Sequence, residues 1–505
     1  MTTAETTAGT MSVFARIDGL IDYAIEHLDL DPRDADWTRN RLLALGEDGL
    51  DDDDEVMGLL SQRPSYVEDR FTVIELDGET DGRAGGMVAM DWFYRYCVAN
   101  HYVKKAVLDR NPRFDSHGLV VTINLAKPEF RTMKTAAAGN AVSGGYPKCT
   151  ICHENEGFAG HDKRTLRTIP VTLGGEPWFW QFSPYGYFHQ HGICVNRHHT
   201  PMHVDRDTFG HLLDFVDRFP GYFLVCNAAL PRIGGSVLAH DHYQGGGELL
   251  PMHKAGAWGS SLSAPGFPDV VVEILDWPGT AVRVASRSRE DVIAVSERIR
   301  EAWVDHDDES AGIASRDADG NRQSAISPTV VVTDRGYEMS LIFRNNAVSE
   351  EYPEGVFHAH PEFWAIKQEP IGLIEAQGLF ILPGRLVDQL GRIEDALVAG
   401  EPLPESEREF RPQWDELVAR LDGGIDGGVD GDAGCGDGGG RDPEAVHAAV
   451  RDELGSVCHR ILGNTAVFKD KRQTLRFLEG LGFVAVDGCD AIAEPRRSGE
   501  SGGVR

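Results

Sequence analysis

The sequence predicts an α+β fold in which mainly helical N- and C-terminal regions flank a sheet-bearing middle. Apolar residues recur at helical spacing near the N-terminus, short β-branched and aromatic runs fill the middle, and helical spacing returns towards the C-terminus. At 505 residues the chain exceeds the ~250–300 residues at which single cores stop growing. We therefore divide it into regions 1–145, 146–270, 271–386 and 387–505.

The N-terminal region is predicted to be helical. From residue 12 onward, apolar side chains recur at helical spacing: Phe14, Ile17, Leu20, Ile21, Ala24, Ile25 and Leu28. A second helical stretch at 36–45 ends before Gly46, a residue type that is common just after helices. The acidic run at 51–55 is predicted to be a solvated loop or a helix start, without a function.

The sheet-bearing middle extends from about residue 146 to residue 386. Its predicted strands are rich in β-branched and aromatic side chains and lie at 168–172, 178–182, 270–274, 329–333 and 341–343. Helical patterns follow at 373–379, 414–421, 443–454 and 471–478. Residues 422–440 are almost wholly Gly and Asp. They lack the Asp spacing and closing Glu of a calcium loop, so we expect a disordered linker.

The overall charge limits the classes of partner. A formal net charge of -31 opposes attraction to nucleic acid or to an anionic membrane, because both are polyanions. An anionic sugar nucleotide remains compatible if glycine N–H groups, Lys and Arg line its pocket. No apolar run reaches the length of a membrane span, and the N-terminus lacks the pattern of a secretory signal. We therefore expect a cytoplasmic protein whose eight cysteines are free thiols or metal ligands.

The sequence HDHYQ at 240–244, bordered by glycines on both sides and by Ser236, is the most informative segment. In an extended strand His240, His242 and Gln244 would share one surface. An imidazole can attack phosphorus, an amide can hold a phosphoryl oxygen, and glycine N–H groups with a hydroxyl can bind an anion. The segment thus predicts a nucleotidyl-transfer site, although two spaced histidines can also be ordinary core or surface residues.

Cys149 and Cys152 form a Cys-x-x-Cys pair, whose spacing lets two thiolates bind one tetrahedral zinc ion. The other two ligands would be histidines, with these candidates: His153, His161, His189, His191, His198, His199 and His240. A thioredoxin-like redox pair is the alternative, but it expects a βαβ context that the sequence does not show. Zinc on His240 would pin the strand and hold His242 at a fixed angle.

Three segments carry a specific family resemblance. They read YPKCTICHENEG at 146–157, NAALPRIGGSVLAHDHYQGG at 227–246 and IGLIEAQGLFILPGR at 371–385. In this order they closely resemble the type 2 galactose-1-phosphate uridylyltransferases, that is, the UDP-glucose-hexose-1-phosphate uridylyltransferases. The resemblance implies a histidine-triad-like fold of antiparallel sheets with flanking helices. It also implies a two-step exchange of uridylyl between hexose 1-phosphates, with no redox cofactor.

The resemblance assigns two catalytic roles by position. His242 matches the nucleophile that attacks the α-phosphorus of UDP-glucose and expels glucose 1-phosphate, giving a covalent uridylyl-histidine. Gln244 matches the amide that holds the uridylyl phosphate. Related hydrolases commonly carry a His at the position of Gln244, so the glutamine favours transfer to a sugar phosphate over loss to water.

The resemblance also implies a zinc site and a phosphate-lining loop. The type 1 zinc pattern matches Cys149, Cys152, His199 and His240. The residues expected to line the nucleotide phosphates are Asn227, Gly235 and Ser236. The stretch between Ser236 and His240 is one residue longer than in the type 1 pattern, which leaves the individual roles of these residues open.

Two further pairs match the type 1 pattern less closely. His358 and His360 resemble a His-x-His that helps bind a second metal in some type 1 enzymes, and a structural or substrate-side role fits them equally well. Lys367 and Gln377 lie in a stretch that resembles the phosphate-contacting segment near the type 1 C-terminus, but the spacing differs. All four are therefore outside candidates.

Two other functions are compatible with the same residues. One is a phosphorylase or hydrolase of another nucleotide on the same fold, and the other is a zinc-stapled binding protein without catalysis. The expected partners are UDP-glucose and a hexose 1-phosphate, with no nucleic acid and no membrane. The sequence leaves open the acceptor sugar, galactose 1-phosphate or an N-acetylhexosamine 1-phosphate. It also leaves open the oligomeric state, for which a homodimer is one option.

Overall fold

The computed structural model describes residues 12–78, 83–125, 145–235, 237–423 and 440–486. Two subjects of the sequence predictions lie outside these ranges: Ser236, and residues 424–439 of the Gly/Asp insert. Within the described ranges, no helix combines the length and the apolar character that crossing a membrane requires.

Helices dominate the start of the chain, as predicted. They are α1 (Val13–His27), α2 (Ala35–Ala44), α3 (Gly46–Gly49), α4 (Asp53–Leu60), α5 (Pro64–Leu76), α6 (Gly85–Ala99) and α7 (Lys105–Leu108). Ser12 caps α1 by accepting a hydrogen bond from the N–H of Ala15. Asp52 caps α4 through the N–H of Glu55, so the acidic run is a helix start.

Within the described residues, the strands form an antiparallel sheet of eleven and a smaller sheet of three. They are β1 (Arg113–Ser116), β2 (Leu119–Asn124), β3 (Ile169–Leu173), β4 (Glu176–Phe182), β5 (Gly192–Asn196), β6 (Phe223–Cys226), β7 (His242–Gly246), β8 (Leu262–Ala264), β9 (Phe267–Ile274), β10 (Ala281–Ser286), β11 (Ser324–Thr333), β12 (Gly336–Asn345), β13 (Leu379–Pro383) and β14 (Val484–Ala485). The large sheet has the order β14-β8-β9-β10-β12-β11-β6-β7-β5-β4-β3. Each of the five predicted strand runs overlaps one of its strands, which confirms the α+β class with an antiparallel sheet.

Two helices inside the sheet-bearing middle were not predicted. They are α8 (Arg206–Arg218) and α9 (Arg289–Val304). The side chain of Asp205 accepts hydrogen bonds from the N–H groups of Asp207 and Thr208 and thereby caps α8. The apolar side chains of α8, including Phe209 and Phe215, are fully buried in the main hydrophobic core, together with residues from strands of the large sheet.

The small sheet has the order β1-β2-β13, with β13 parallel to β2. Its first two strands lie in the region that we predicted to be mainly helical. They are joined by a two-residue turn in which His117 and Gly118 both have positive φ, 51° and 73°. Such a turn is typical of tight β-hairpins. The analysis of apolar spacing did not consider turn residues and therefore missed the hairpin.

The helix predicted at 373–379 is also shorter than expected. It is the single turn α10 (Leu373–Ala376), and β13 follows at once. Gly378 separates the two with a φ of +96°, and a Cβ on it would lie 2.6 Å from the Trp277 ring. The helix therefore ends where the backbone passes close to Trp277, and apolar spacing does not reveal such a contact.

Helices fill the described part of the C-terminal region, as predicted, although the first of them, Leu386–Ala399, has no counterpart among the predicted helical stretches. The first three pack in a second hydrophobic core, whereas the last, Lys471–Gly480, packs in the main core. The four helices are α11 (Leu386–Ala399), α12 (Arg411–Gly423), α13 (Pro443–Thr465) and α14 (Lys471–Gly480). Helix α13 has 23 residues, about one half of them beyond the predicted end at residue 454. Its apolar residues pack with β2 and β13, so the small sheet joins the C-terminal helices to the rest of the fold.

Candidate active site and metal centre

Strand β7 carries both predicted catalytic residues on one face. His242 and Gln244 alternate with Tyr243, so they point to the same side of the large sheet. On the neighbouring β5, Val195 lies opposite His242 and Ile193 opposite Gln244. The strand is therefore hydrogen-bonded on both sides, by β5 and by β6, and holds the two side chains in a fixed spacing.

The alternation does not extend to His240, which corrects the expectation of one row of three side chains. Strand β7 begins at His242. The N–H of His240 donates to the carbonyl of Val237 at 3.0 Å, within the turn that precedes the strand. Its imidazole contacts the two cysteines of the Cys-x-x-Cys pair. The turn thus separates the histidine that faces the cysteines from the histidine of the strand.

The His242 imidazole is held in one tautomer. Its Nδ1 lies 2.8 Å from the carbonyl oxygen of His240. Because a carbonyl only accepts, Nδ1 carries the proton and Nε2 holds the lone pair. The side chain is buried, and burial lowers the pKa of the imidazole, which favours the uncharged form. An uncharged ring with its lone pair on Nε2 is the nucleophilic form.

Gln244 is half-buried and contacts a second imidazole on the same face. Its Oε1 lies 3.2 Å from Nε2 of His191, the residue just before β5. His191 was a candidate zinc ligand from the sequence, but the structure places it beside the amide. A histidine contact to Gln244 is a feature that sequence analysis missed, because it depends on the register between β5 and β7.

Four of the predicted residues come together as a group that could hold a metal ion. The group consists of Cys149, Cys152, His199 and His240, whose ligand atoms all lie within 4.8 Å of one another. The Sγ of Cys149 is 3.3 Å from Nδ1 of His240, and the Sγ of Cys152 is 3.2 Å from Nδ1 of His199. Two thiols and two imidazole nitrogens at these distances match the donor set of a closed tetrahedral site.

The surrounding backbone orients these donors. The Nε2 of His240 lies 2.8 Å from the carbonyl oxygen of Asn196, so this nitrogen carries the proton and Nδ1 faces the sulfurs with its lone pair. The side chain of Asn155 donates to the carbonyls of Cys149 and Cys152 at 2.8 and 2.9 Å and fixes the Cys-x-x-Cys turn. Neither asparagine was predicted, since each acts through a main-chain carbonyl and has no motif.

The protonation of the group also depends on a cation. Burial raises the pKa of the Cys152 thiol to about 12 and lowers that of His240 to about 4. Without a cation the Cys152 sulfur therefore keeps its proton, and a bound cation would displace it. The two sulfurs are 3.3 Å apart, well beyond the ~2.05 Å of a disulfide. The geometry favours a metal site over a redox pair.

Asn227 contacts the glycine loop at the end of β6. Cys226, the last residue of β6, pairs with Tyr243 of β7, and Asn227 follows it in the chain. The Nδ2 of Asn227 donates to the carbonyl of Gly234 at 3.4 Å. A Cβ built on Gly235 would lie 3.6 Å from this Nδ2. Two of the three predicted phosphate-lining residues are thus neighbours, and the third, Ser236, lies outside the described residues.

Gly234 closes the loop against a distant part of the chain. It has a φ of +79°, and a Cβ on it would lie 2.3 Å from the Cα of Gly372. The guanidinium of Arg344 donates to the carbonyls of Ile233 and Ile371 at 3.1 and 2.7 Å. The segments 227–246 and 371–385, which the sequence comparison singled out separately, therefore meet at this point.

The remaining candidates lie apart from the cysteine group. His358 contacts the carbonyl of Ala359, and His360 contacts that of Val356 and stacks on Tyr352 at 4.0 Å. Among the described residues, the cysteine group is the single set of three or more side chains with metal-holding geometry. A second metal at His358 and His360 therefore has no preassembled ligand set in the described part of the chain.

Lys367 and Gln377 are both buried near β13. The Nζ of Lys367 lies 3.0 Å from Glu369, 3.1 Å from Glu375 and 2.9 Å from the carbonyl of Ile381. Gln377 donates from Nε2 to the carbonyl of Leu373 at 3.0 Å. These contacts account for Lys367 within the fold, since two carboxylates neutralise its charge.

Comparison with known proteins gives consistent names. A family model described as galactose-1-phosphate uridyl transferase, N-terminal domain, matches residues 44–201. A galactose-1-phosphate uridylyltransferase of Bifidobacterium longum subsp. longum is 63% identical and aligns over 94% of this chain and 98% of its own. Proteins of the same name from Lactococcus lactis subsp. lactis and Halalkalibacterium halodurans are 31% and 32% identical, over 94% and 91% of this chain and 100% and 96% of theirs.

One solved structure is similar at a much lower level. A yeast Ap4A phosphorylase shares 12% sequence identity, with a TM-score of 0.28, over 56% of this chain and 82% of that chain. A likeness of this size supports no conclusion about fold or function.

Proposed function

The chain belongs to the galactose-1-phosphate uridylyltransferase family, and from this premise we propose that it transfers uridylyl from UDP-glucose to galactose 1-phosphate. The products are UDP-galactose and glucose 1-phosphate, and the reaction proceeds through a covalent uridylyl-histidine. Relatives with this name align along nearly the whole chain. The observation that carries the assignment to residues is the His242 imidazole, whose proton is held on Nδ1 by the carbonyl of His240.

In the first step, Nε2 of His242 attacks the α-phosphorus of UDP-glucose. A nitrogen–phosphorus bond forms while the bond from that phosphorus to the bridging oxygen breaks, and glucose 1-phosphate leaves with the electron pair. In the second step, a phosphate oxygen of galactose 1-phosphate attacks the same phosphorus and the nitrogen–phosphorus bond breaks. Splitting one displacement into two lets a single imidazole serve both sugar phosphates.

The charge on the transferred phosphate requires fixed hydrogen-bond donors. We assign this role to the amide of Gln244 and to the N–H groups around Gly235, with Asn227 positioned beside them. Ser236 keeps the same role as a prediction from the sequence. Removing the amide in Gln244→Ala is expected to slow the first step by ~10²–10³, the usual effect of losing one such donor.

The metal group fits zinc. Its donors are two thiols and two imidazole nitrogens, which suit zinc better than oxygen-preferring cations. Cys149, Cys152, His199 and His240 would hold the ion, and no water position is left for catalysis in a closed site. The ion supplies rigidity, because His240 then anchors the turn whose carbonyl holds His242.

The test uses UDP-glucose alone. One equivalent of glucose 1-phosphate should be released, and the intact mass should rise by one uridylyl group on the peptide that contains His242. His242→Ala should show neither change. His447→Ala is the matched control, because His447 is an exposed histidine paired with Glu394 and should behave as the wild type.

The outcomes separate the proposal from its rivals. Turnover without an adduct on His242 would exclude the covalent route. Continuous release of UMP without an acceptor would identify a hydrolase, and a different preferred nucleotide would identify a phosphorylase or hydrolase of that nucleotide. The absence of both adduct and turnover would favour the zinc-stapled binding protein without catalysis. Comparing galactose 1-phosphate with N-acetylhexosamine 1-phosphates as acceptors decides the sugar. A cytoplasmic location and a homodimer stay predictions.

A further inference from the structure

We infer that His191 is a positioning residue that fixes the amide of Gln244 with its N–H bonds towards the transferred phosphate. The inference rests on the proposed role of Gln244. A primary amide presents either its oxygen or its nitrogen to a ligand, and the two orientations have opposite effects on a phosphate. Only the nitrogen donates, whereas the oxygen would repel the phosphoryl oxygens. The site therefore needs a residue that selects one of the two orientations of the amide.

The register of the sheet brings His191 to Gln244. Ile193 of β5 lies directly opposite Gln244, so His191, two residues earlier, is its diagonal neighbour on the same face. Diagonal neighbours are within reach of long side chains. The observed distance from Nε2 of His191 to Oε1 of Gln244 is 3.2 Å. Gln244 belongs to β7, and the main chain of His191 is hydrogen-bonded to Ser183 and Phe188.

The hydrogen bonds around His191 determine which nitrogen carries the proton. The backbone N–H of Tyr187 donates to Nδ1 of His191 at 3.4 Å. An Nδ1 that accepts a hydrogen bond has no proton, so the proton of the neutral ring is on Nε2. Nε2 then donates to Gln244, and the atom it meets must be the amide oxygen. The flipped amide would set two donors against each other, so Nε2 of Gln244 points away from His191.

The ring of His191 is itself immobilised. It is 5% exposed, packs on Phe188 with ring centroids 4.5 Å apart and stacks on Tyr187 at 5.1 Å. Its own carbonyl accepts from the N–H of Ser183, and its N–H donates to the carbonyl of Phe188. Because the ring is packed and both the N–H and the carbonyl of His191 are hydrogen-bonded, the ring can fix the orientation of the amide.

The experiment compares two substitutions of His191 by the rate of glucose 1-phosphate release from UDP-glucose alone. His191→Phe keeps the ring volume and removes the donor. His191→Gln replaces the imidazole by an amide whose nitrogen can occupy nearly the position of Nε2. We expect His191→Phe to slow the first step by ~10- to 100-fold, less than the ~10²–10³ for loss of the donor itself. His191→Gln should recover most of that rate.

The same pair is then measured with Gln244→Ala. If His191 acts through the amide, His191→Phe slows the Gln244→Ala enzyme no further, because no amide remains to be oriented. A structural role would instead slow both backgrounds equally and lower the melting temperature in both. An unchanged rate in His191→Phe, equal rates in His191→Phe and His191→Gln, or full additivity would each overturn the inference.

The two proposals fail separately. If the wild type gives no adduct on His242, the proposed function fails whatever the His191 variants do. If the wild type is labelled and His191→Phe is labelled at the same rate, only the inference on His191 fails. The wild-type adduct is therefore measured first.

Discussion

The two faces of strand β7 differ in what surrounds them. On one face, Tyr243 is fully buried, stacks on Trp178 with ring centroids 4.8 Å apart and contacts Nδ1 of His211 at 3.0 Å through its hydroxyl. On the other, His242 and Gln244 lie with Val225 of β6, which pairs with Gln244 and is fully buried in a smaller apolar cluster. The first face packs in the main core beneath α8, and the second carries an imidazole and an amide beside a smaller apolar cluster. The same five residues thus pack on both faces, and one face carries the two side chains that we propose as catalytic.

The largest expected effect separates the two faces. His242→Ala should lower uridylyl transfer by at least ~10⁴-fold, because no other group replaces a covalent nucleophile. Its melting temperature should fall less than that of Tyr243→Ala, since the imidazole is smaller and buries less apolar surface than the Tyr243 ring. Enzyme assays and thermal unfolding on the same preparations check both statements. Retained transfer, or a collapse of stability comparable to that of a core variant, would contradict the division of roles.

The metal group tests whether the catalytic face depends on the turn before β7. One equivalent of metal per chain is expected by elemental analysis, and Cys149→Ala with Cys152→Ala should remove it. We expect a loss of several kcal/mol in the free energy of unfolding together with loss of transfer, because metal binding contributes folding energy. Cys458→Ala is the matched control, since Cys458 is a buried free cysteine in another core. A metal-free double variant with normal stability and transfer would show that the group has no role in either.

The core face predicts the opposite pattern. Tyr243→Ala removes a fully buried aromatic side chain and should cost about 3–5 kcal/mol. Transfer per folded molecule should fall far less than in His242→Ala. Urea unfolding, with activity normalised to the folded fraction, measures both. If Tyr243→Ala is as stable as the wild type, the stacking on Trp178 does not hold the strand.

Much of this division could be predicted from the sequence, and its limits are physical. Extended chain at His242 and Gln244 was expected from the apolar residues that precede it, and their shared face from period-two alternation. The Cys-x-x-Cys pair was expected from its spacing, and the two histidines that join it from the family resemblance. The break between His240 and His242 could not be predicted, because it depends on a turn closed by the carbonyl of Val237. The hairpin at Gly118 and the break at Gly378 depend on positive φ, which apolar spacing does not encode.

The position of His191 shows the same limit at the site. As one of many histidines it was a candidate metal ligand, because residue type alone suits both roles. Its contact to Gln244 is set by the pairing of Ile193 with Gln244, two residues along the strand. Local sequence identifies which chemistry is available, whereas register decides which groups meet. The same holds for Gly372, whose contact with Gly234 joins segments more than 100 residues apart.

The glycine loop gives a smaller and sharper test of that long-range contact. Gly234→Ala adds a side chain at a φ of +79°, and its Cβ would lie 2.3 Å from the Cα of Gly372. Gly118→Ala is the matched control, because it has a similar φ of +73° with nothing within 4 Å of the added Cβ. Backbone strain alone should cost ~1 kcal/mol in Gly118→Ala. Gly234→Ala should cost more and raise the KM for UDP-glucose, since the loop must move.

Equal losses of stability in the two alanine variants, with an unchanged KM for Gly234→Ala, would show that the contact with Gly372 does not shape the site. A raised KM in Gly118→Ala would be equally damaging, because Gly118 lies in the hairpin between β1 and β2.

The smallest expected effect concerns a single hydroxyl on the face of β7 that carries Tyr243. Tyr243→Phe keeps the stacked ring and removes only the hydroxyl that meets Nδ1 of His211, so it should cost about 1 kcal/mol in the free energy of unfolding. The rate of the first step should be unchanged, because the hydroxyl points away from His242. Denaturant unfolding and the burst of glucose 1-phosphate measure the two quantities. A slowed burst at near-normal stability would mean that the two faces of β7 are coupled, and that the hydroxyl helps to set the position of the nucleophile through the strand.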